Sequence, residues 1–204
     1  MDDLTEDQRR VAAGCVDRLF EADEAYEAAV SEHYDEVVHE VIERVGTSGS
    51  VGKLDIAALT AWKRVRADTK WVAGLMNTSD ADVRRRTSGV VEIVNDRVLA
   101  APEAAGRARS ALSPLSGFGT GDALASAVCF AAAPGRMAVY DKRSHAAVLS
   151  LGFELDNRRG RYRRYMTIVE ACRSALHERG HKWEARQVDT ALYYLGGPDG
   201  GTED

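Results

Sequence analysis

Apolar residues recur along this chain at helical spacing, and the two-residue alternation of a strand is almost absent. In the first third, Val11, Val16, Leu19, Phe20, Tyr26, Val30, Val37, Val38, Val41 and Ile42 carry the helical pattern, and Thr5 followed by Gln8 suits a capping box at its start. The run stops at Gly46-Thr-Ser-Gly-Ser-Val-Gly52, whose composition predicts a flexible loop. A second helical region covers 54–76, with Ile56, Leu59, Trp62, Val65, Trp71, Val72 and Leu75 on one side and Lys63, Arg64, Arg66 and Lys70 on the other. Asn77-Thr-Ser-Asp80 caps a further helix through Val83, Val90, Val94 and Val98.

Pro102 precedes a short helix over 103–112, and a glycine-rich hairpin at 115–122 opens into an alanine-rich helix over 121–133 that Pro134-Gly135 ends. Asp141, with Ser144 three residues on, starts the next helix. Helices over 162–179 and 183–195 complete the pattern, and 197–204 is expected to be a flexible tail. The fold class expected is all-α, a helical bundle in two closely packed lobes. Residues 1–50 form an acidic helical segment, and 51–196 form the main helical domain.

Composition changes this picture in one respect. The net charge of −5 argues against a nucleic-acid binder, but its distribution does not. Residues 1–60 carry 5 Lys/Arg against 15 Asp/Glu, residues 61–186 carry 22 against 13, and the remaining tail has 4 acidic residues and no basic one. A basic middle between acidic ends suits phosphate, and it is equally an ordinary solvated surface. The longest apolar stretch, 123–134, is too short to span a bilayer, so no membrane partner is expected. The acidic first residues lack a secretory pattern, which predicts a cytoplasmic, nucleoid-associated protein. Cys15, Cys129 and Cys172 are scattered and predict neither a zinc site nor disulfides.

The chemistry concentrates in Leu115-Ser-Gly-Phe-Gly-Thr-Gly-Asp122. Gly117 and Gly119 permit positive φ and close backbone approach, and the amides of Gly119, Thr120 and Gly121 would lie at the mouth of the next helix, where an anion is favoured. A turn of this composition also joins helices with no ligand. Beyond the alanine-rich helix comes Val139-Tyr140-Asp141, where an acidic residue follows an apolar pair. The hairpin, the alanine-rich helix and the later Asp together resemble the helix-hairpin-helix superfamily of DNA glycosylases, the 8-oxoguanine glycosylase-like branch in particular. The likeness is specific over 112–152. Pro114 precedes the leucine instead of following it, and residues 1–53 have no counterpart.

The resemblance implies DNA as partner and hydrolysis of a base–sugar bond, with Asp141 as the catalytic carboxylate stabilising an oxocarbenium-like sugar and activating water. Asp is also a preferred N-cap, and the two roles are compatible. The lysine that some members carry at the hairpin is replaced by Gly121, or by Asp122 one place on, which implies a monofunctional enzyme acting in base-excision repair or in defence against modified foreign DNA. Gly117, Gly119, Thr120, Gly121 and Arg143 are expected at the DNA backbone, with Arg158-Arg-Gly-Arg-Tyr-Arg-Arg164 adding charge. Tyr140, Trp62 and Trp71 are candidates for the base pocket. No cofactor is expected, although the resemblance allows a monovalent cation at the hairpin carbonyls. The alternatives are a non-catalytic DNA-binding module on the same scaffold and a protein partner held by the acidic N-terminal segment.

Overall fold

The computed structural model describes residues 4–197, and all of their regular structure is helical: α1 (Glu6–Ala29), α2 (Glu36–Ser48), α3 (Lys53–Trp62), α4 (Thr69–Met76), α5 (Asp80–Asn95), α6 (Ala101–Leu112), α7 (Ala123–Ala132), α8 (Lys142–Ser150), α9 (Arg161–Glu178) and α10 (Ala185–Leu195). The fold is thus an all-α helical bundle. No helix among the described residues is long and apolar enough to cross a membrane. Of the expected tail, 198–204 lie outside the described residues.

Helices begin where local cap chemistry says they should. Thr5 and Gln8 form the reciprocal capping box of α1, Ser79 Oγ accepts from the Asp82 amide to start α5, and Asp141 with Ser144 caps α8. Two expected continuous stretches are divided. The N-terminal pattern breaks at 30–35, where Tyr34 N–H donates to the Ser31 carbonyl, and α2 then runs through Gly46 to a left-handed C-cap at Gly49. The expected flexible loop is only the short stretch after Gly49, and it is pinned: Thr87 Oγ1 accepts from Val51 N–H at 2.9 Å and donates to Val51 O at 2.7 Å. The second pattern divides at 63–68 into α3 and α4.

The N-terminal helix is built into the bundle. α1 packs against α9 and α10, and α10 also holds α8, while α2 packs on α3 and α7, and α5 and α6 pack together with α7. The α6–α9 contact joins the two sets. One apolar core runs from Ala12 to Leu192, with Phe118, Tyr162, Tyr165 and Met166 among its most buried side chains. The three cysteines are free and buried in it.

α1 also places Asp23 against Thr190 of α10, where burial, with Glu27 one turn on, raises its carboxyl to about 6. Its unfolded value of 3.8 is lower, so its stabilising contribution is complete below that value and is lost as pH rises through about 6. Asp23→Asn is therefore expected to stabilise the protein at pH 7 by about 1 kcal/mol, after a discount for partial exposure, and to have little effect at pH 4. Urea unfolding at the two pH values checks this, and an equal gain at both would contradict it.

Candidate functional site

The segment 138–140 has no regular structure and leads into the extended N-cap Asp141, and side chains from several helices hold it. Val139 N–H donates to Asp189 Oδ2 at 2.8 Å, Tyr140 N–H to Ser126 Oγ at 2.9 Å and Asp141 N–H to Ser144 Oγ at 3.0 Å. The Tyr162 hydroxyl donates to Ala138 O at 2.9 Å, and the Tyr165 hydroxyl to Val139 O at 3.3 Å. Asp141 is therefore delivered to the start of α8 by a backbone fixed from α7, α9 and α10. Burial pushes Asp189 up to about 6, although Arg186 and the Val139 amide pull it down.

Asp141 is mostly buried, its side chain 17% exposed. Its Oδ1 accepts from the Ser144 amide at 2.9 Å, and its Oδ2 accepts from Lys63 Nζ at 2.8 Å. Burial alone would raise its pKa. The Lys63 charge and hydrogen bond, with the Ser144 bonds, outweigh burial and hold the carboxyl below its usual range. Lys63 sits at the C-cap of α3, its side chain 9% exposed, with Nζ over the rings of Trp62 and Tyr193 at 5.5 and 5.6 Å. In the sequence Lys63 reads only as part of an exposed cationic stripe.

Lys63 is followed by Arg64 at φ 49°, the one non-glycine residue at positive φ among the described residues. Arg64 N–H donates to Ala61 O and Val65 N–H to Thr60 O, which is the Schellman closure of a helix end. Glycine normally fills this position. Arg64 Nη2 donates instead to the Tyr193 hydroxyl at 3.2 Å, and Arg143 Nη1 meets the same hydroxyl at 2.9 Å with its guanidinium over the Tyr193 ring. Arg143 thus stands beside Asp141, bracing Tyr193. Arg64→Gly is expected to relieve the strain and stabilise the fold by about 1 kcal/mol, or roughly 2–4 °C in Tm. If Arg64 faces phosphate, the variant also loses about one unit of the salt slope of duplex binding. Calorimetry and a salt titration read the two effects separately.

The hairpin takes its shape from within. Positive φ occurs at Gly117 (93°) and Gly121 (71°) but not at Gly119, which corrects the expectation for Gly119. Gly117 is required twice over, because a Cβ there would come within 2.5 Å of the Trp71 ring. Trp71 is half-buried against the hairpin, and its carbonyl accepts from Ser116 Oγ at 2.8 Å. Gly119, Thr120 and Gly121 are exposed. Asp122, the N-cap of α7, makes no side-chain cap hydrogen bond, so its carboxylate does not satisfy the first amides of α7.

The Asp122 carboxylate is turned the other way. Arg109 Nε reaches its Oδ1 at 2.7 Å and Arg161 Nε its Oδ2 at 2.8 Å. Arg109 also donates to the carbonyls of Phe118 (2.9 Å) and Gly121 (2.8 Å), so one guanidinium ties the two sides of the hairpin. Arg161 lies over the Tyr140 ring at 4.6 Å, and the Tyr140 hydroxyl meets His145 Nδ1 at 3.1 Å. Hairpin and Asp141 segment are thereby linked through Asp122, Arg161 and Tyr140.

Two of the three base-pocket candidates are core residues. Trp62 is 6% exposed, stacks on Phe130 at 6.0 Å, donates from Nε1 to Asp35 Oδ1 at 2.9 Å and is covered by Arg186. Tyr140 is equally buried, with Arg161 on its face and Tyr165 at 5.3 Å. Neither offers a free ring face for stacking, because their area is spent on packing. Within the basic run, Arg161 turns inward to Asp122, and Arg164 pairs within its own surface loop. Arg164 donates to Asp156 Oδ1 at 2.7 Å and to the carbonyls of Arg158 and Arg159, folding the loop on itself. Comparisons with protein-family models, with curated proteins and with solved structures gave no match.

Proposed function

We propose that the protein is a helix-hairpin-helix DNA glycosylase that hydrolyses the bond between a base and its sugar. The observation that carries this reading is the Asp141 carboxylate, held ionised in a mostly buried position at the end of a backbone segment fixed from several helices. An ionised carboxylate in such a place is suited to stabilise positive charge developing on a sugar. The exposed hairpin amides and the uncapped start of α7 suit a DNA phosphate. On this reading the cation at the hairpin carbonyls is the guanidinium of Arg109.

Water is the nucleophile. Gly121 has no side chain to attack with, and the nearest amine, Lys63, is bound as a counter-ion to Asp141. Asp141 lowers the barrier by its charge, and water on the open face of the sugar completes the hydrolysis, releasing the base and leaving an abasic site. The test is a panel of duplexes carrying damaged or modified bases, scored for alkali-labile sites and for covalent trapping by borohydride. Alkali-labile cleavage without trapping is expected. Release of no base from any duplex would overturn the reading. One observation favours the non-catalytic DNA-binding module: the cavity bordered by Lys63, Asp189 and Tyr193 holds only about 10 Å³. Duplex binding without release would decide for it.

A further inference from the structure

The Lys63–Asp141 pair is tethered at both ends to one ion cluster. On the Asp141 side, the Val139 amide two residues earlier donates to Asp189 Oδ2 at 2.8 Å, and Asp189 Oδ1 accepts from Arg186 Nη1 at 2.9 Å. On the Lys63 side, its neighbour Trp62 ends α3 and donates from the indole to Asp35 Oδ1 at 2.9 Å. Asp35 Oδ2 then accepts from Arg186 Nη2 at 3.3 Å. The two arms meet at one guanidinium, which gives one terminal nitrogen to each carboxylate. Its central carbon lies 5.3 Å from the centre of the Trp62 ring and 5.2 Å from that of Phe130, so packing fixes it as well as charge. The contacts close into a circuit: Asp141, Lys63, Trp62, Asp35, Arg186, Asp189, Val139, and along the backbone to Asp141 again.

We propose that Arg186 is a positioning residue for the reaction assigned to Asp141: through Asp189 and Asp35 it sets the Asp141 carboxylate and the Lys63 ammonium against each other. The proposal rests on the glycosylase reading. Its physical ground is that each member of the pair hangs on a different arm. The Asp141 backbone shifts if Asp189 releases Val139, and Lys63 shifts if Trp62 moves on Asp35. A carboxylate that must face a developing positive charge tolerates little displacement, since about 1 Å can cost on the order of 10²-fold in rate. Removing Arg186 itself is a poor probe. It strands Asp189, whose side chain is 3% exposed, and so tests folding before placement. The two carboxylates on the arms are the better probes.

Asp35→Ala cuts the Lys63 arm, and because Asp35 makes no side-chain hydrogen bond to the start of α2, that helix does not depend on it. Asp189→Asn keeps the size of the other carboxylate but offers one acceptor oxygen where two are used. Both variants and their combination are assayed in the full chain for single-turnover release of whichever base the wild type releases fastest. The titration of the Asp141 carboxyl is followed separately by carbon-13 NMR without DNA. Each single variant is expected to slow release about 10-fold with duplex affinity unchanged. Each is also expected to raise the Asp141 titration toward the usual carboxylate range, as Lys63 loosens. Loss of a neighbouring negative charge alone would lower it, so a rise reports displacement. The double variant is expected to fall within about 3-fold of the slower single one, because both arms act through Arg186. Folded variants that release base at the wild-type rate, or an Asp141 titration that does not rise, would overturn the positioning role and leave the Asp141 reading standing. Losses that multiply in the double variant would show two independent arms and overturn the role of Arg186. A wild type that releases no base removes the glycosylase reading, and the titration then decides alone: a rise in both variants keeps Arg186 as the residue that places the pair, and no rise removes that as well.

Discussion

Asp141→Asn is expected to slow base release by about 10²–10³-fold in single-turnover assays, with duplex affinity unchanged. The amide keeps the shape of the carboxylate and can still accept from Ser144, so the N-cap of α8 survives. What it loses is the charge. The substitution also strands the Lys63 ammonium, whose side chain is 9% exposed, and an unpaired charge so placed costs about 3 kcal/mol. Lost activity and lost stability must therefore be separated. Lys63→Met with Asp141→Asn removes both charges and is expected to restore much of the stability but none of the release. If the double variant releases base at the wild-type rate, Asp141 serves only to hold Lys63 and the catalytic assignment fails.

The pH profile carries an independent check on the same residue. Asp141 is held below its usual range, so the stability it contributes is present above its unfolded value of 3.8 and is lost only as pH falls through the lower folded value. Release should show no acid limb from Asp141 between pH 7 and pH 5. A limb centred near 6 would point to another carboxylate, and Asp189, raised to about 6, is the nearest of that kind.

What the sequence disclosed and what it hid divide along one physical line. Cap chemistry acts over three or four residues, so Thr5 with Gln8, Ser79 with Asp82 and Asp141 with Ser144 are legible in the order of residues alone. The ion pairs that build the site act across the fold. Lys63 reaches Asp141 over 78 residues, Arg161 reaches Asp122 over 39, and Arg186 reaches Asp35 over 151, and none of these leaves a local signature. Arginines that looked like a phosphate-facing run therefore include Arg161 and Arg164, whose charges are used inside the molecule. The break between α3 and α4 was hidden for a related reason. Arg64 adopts the left-handed turn that glycine usually signals, so composition gave no warning. Aromatic type alone misassigned Trp62 and Tyr140, because a buried ring and a stacking ring have the same letter and differ only in what covers their faces.

Arg109→Met is expected to cost about 3–5 kcal/mol and to abolish duplex binding even well below the melting temperature. Three of its donors end on three different acceptors: Asp122 Oδ1, Phe118 O and Gly121 O. Methionine retains much of the apolar stem but leaves Asp122, its side chain 11% exposed, with Arg161 as its remaining ion-pair partner. The Asp122 carboxylate is then free to rotate onto the first amides of α7 as an ordinary N-cap, the very donors that the proposed phosphate needs. Arg109 braces the hairpin. On the proposed reading it also keeps an internal carboxylate from the donors offered to phosphate. Arg109→Lys separates the two roles, since a lysine preserves the charge beside Asp122 but cannot fork to both carbonyls. It should keep Asp122 turned away and bind duplex more weakly than the wild type but measurably, with a smaller loss of stability. Asp122→Asn in the Arg109→Met background should recover part of the binding, because a neutral side chain repels phosphate less. If Arg109→Met binds duplex like the wild type while folded, the hairpin is a structural turn and the DNA contact lies on another face.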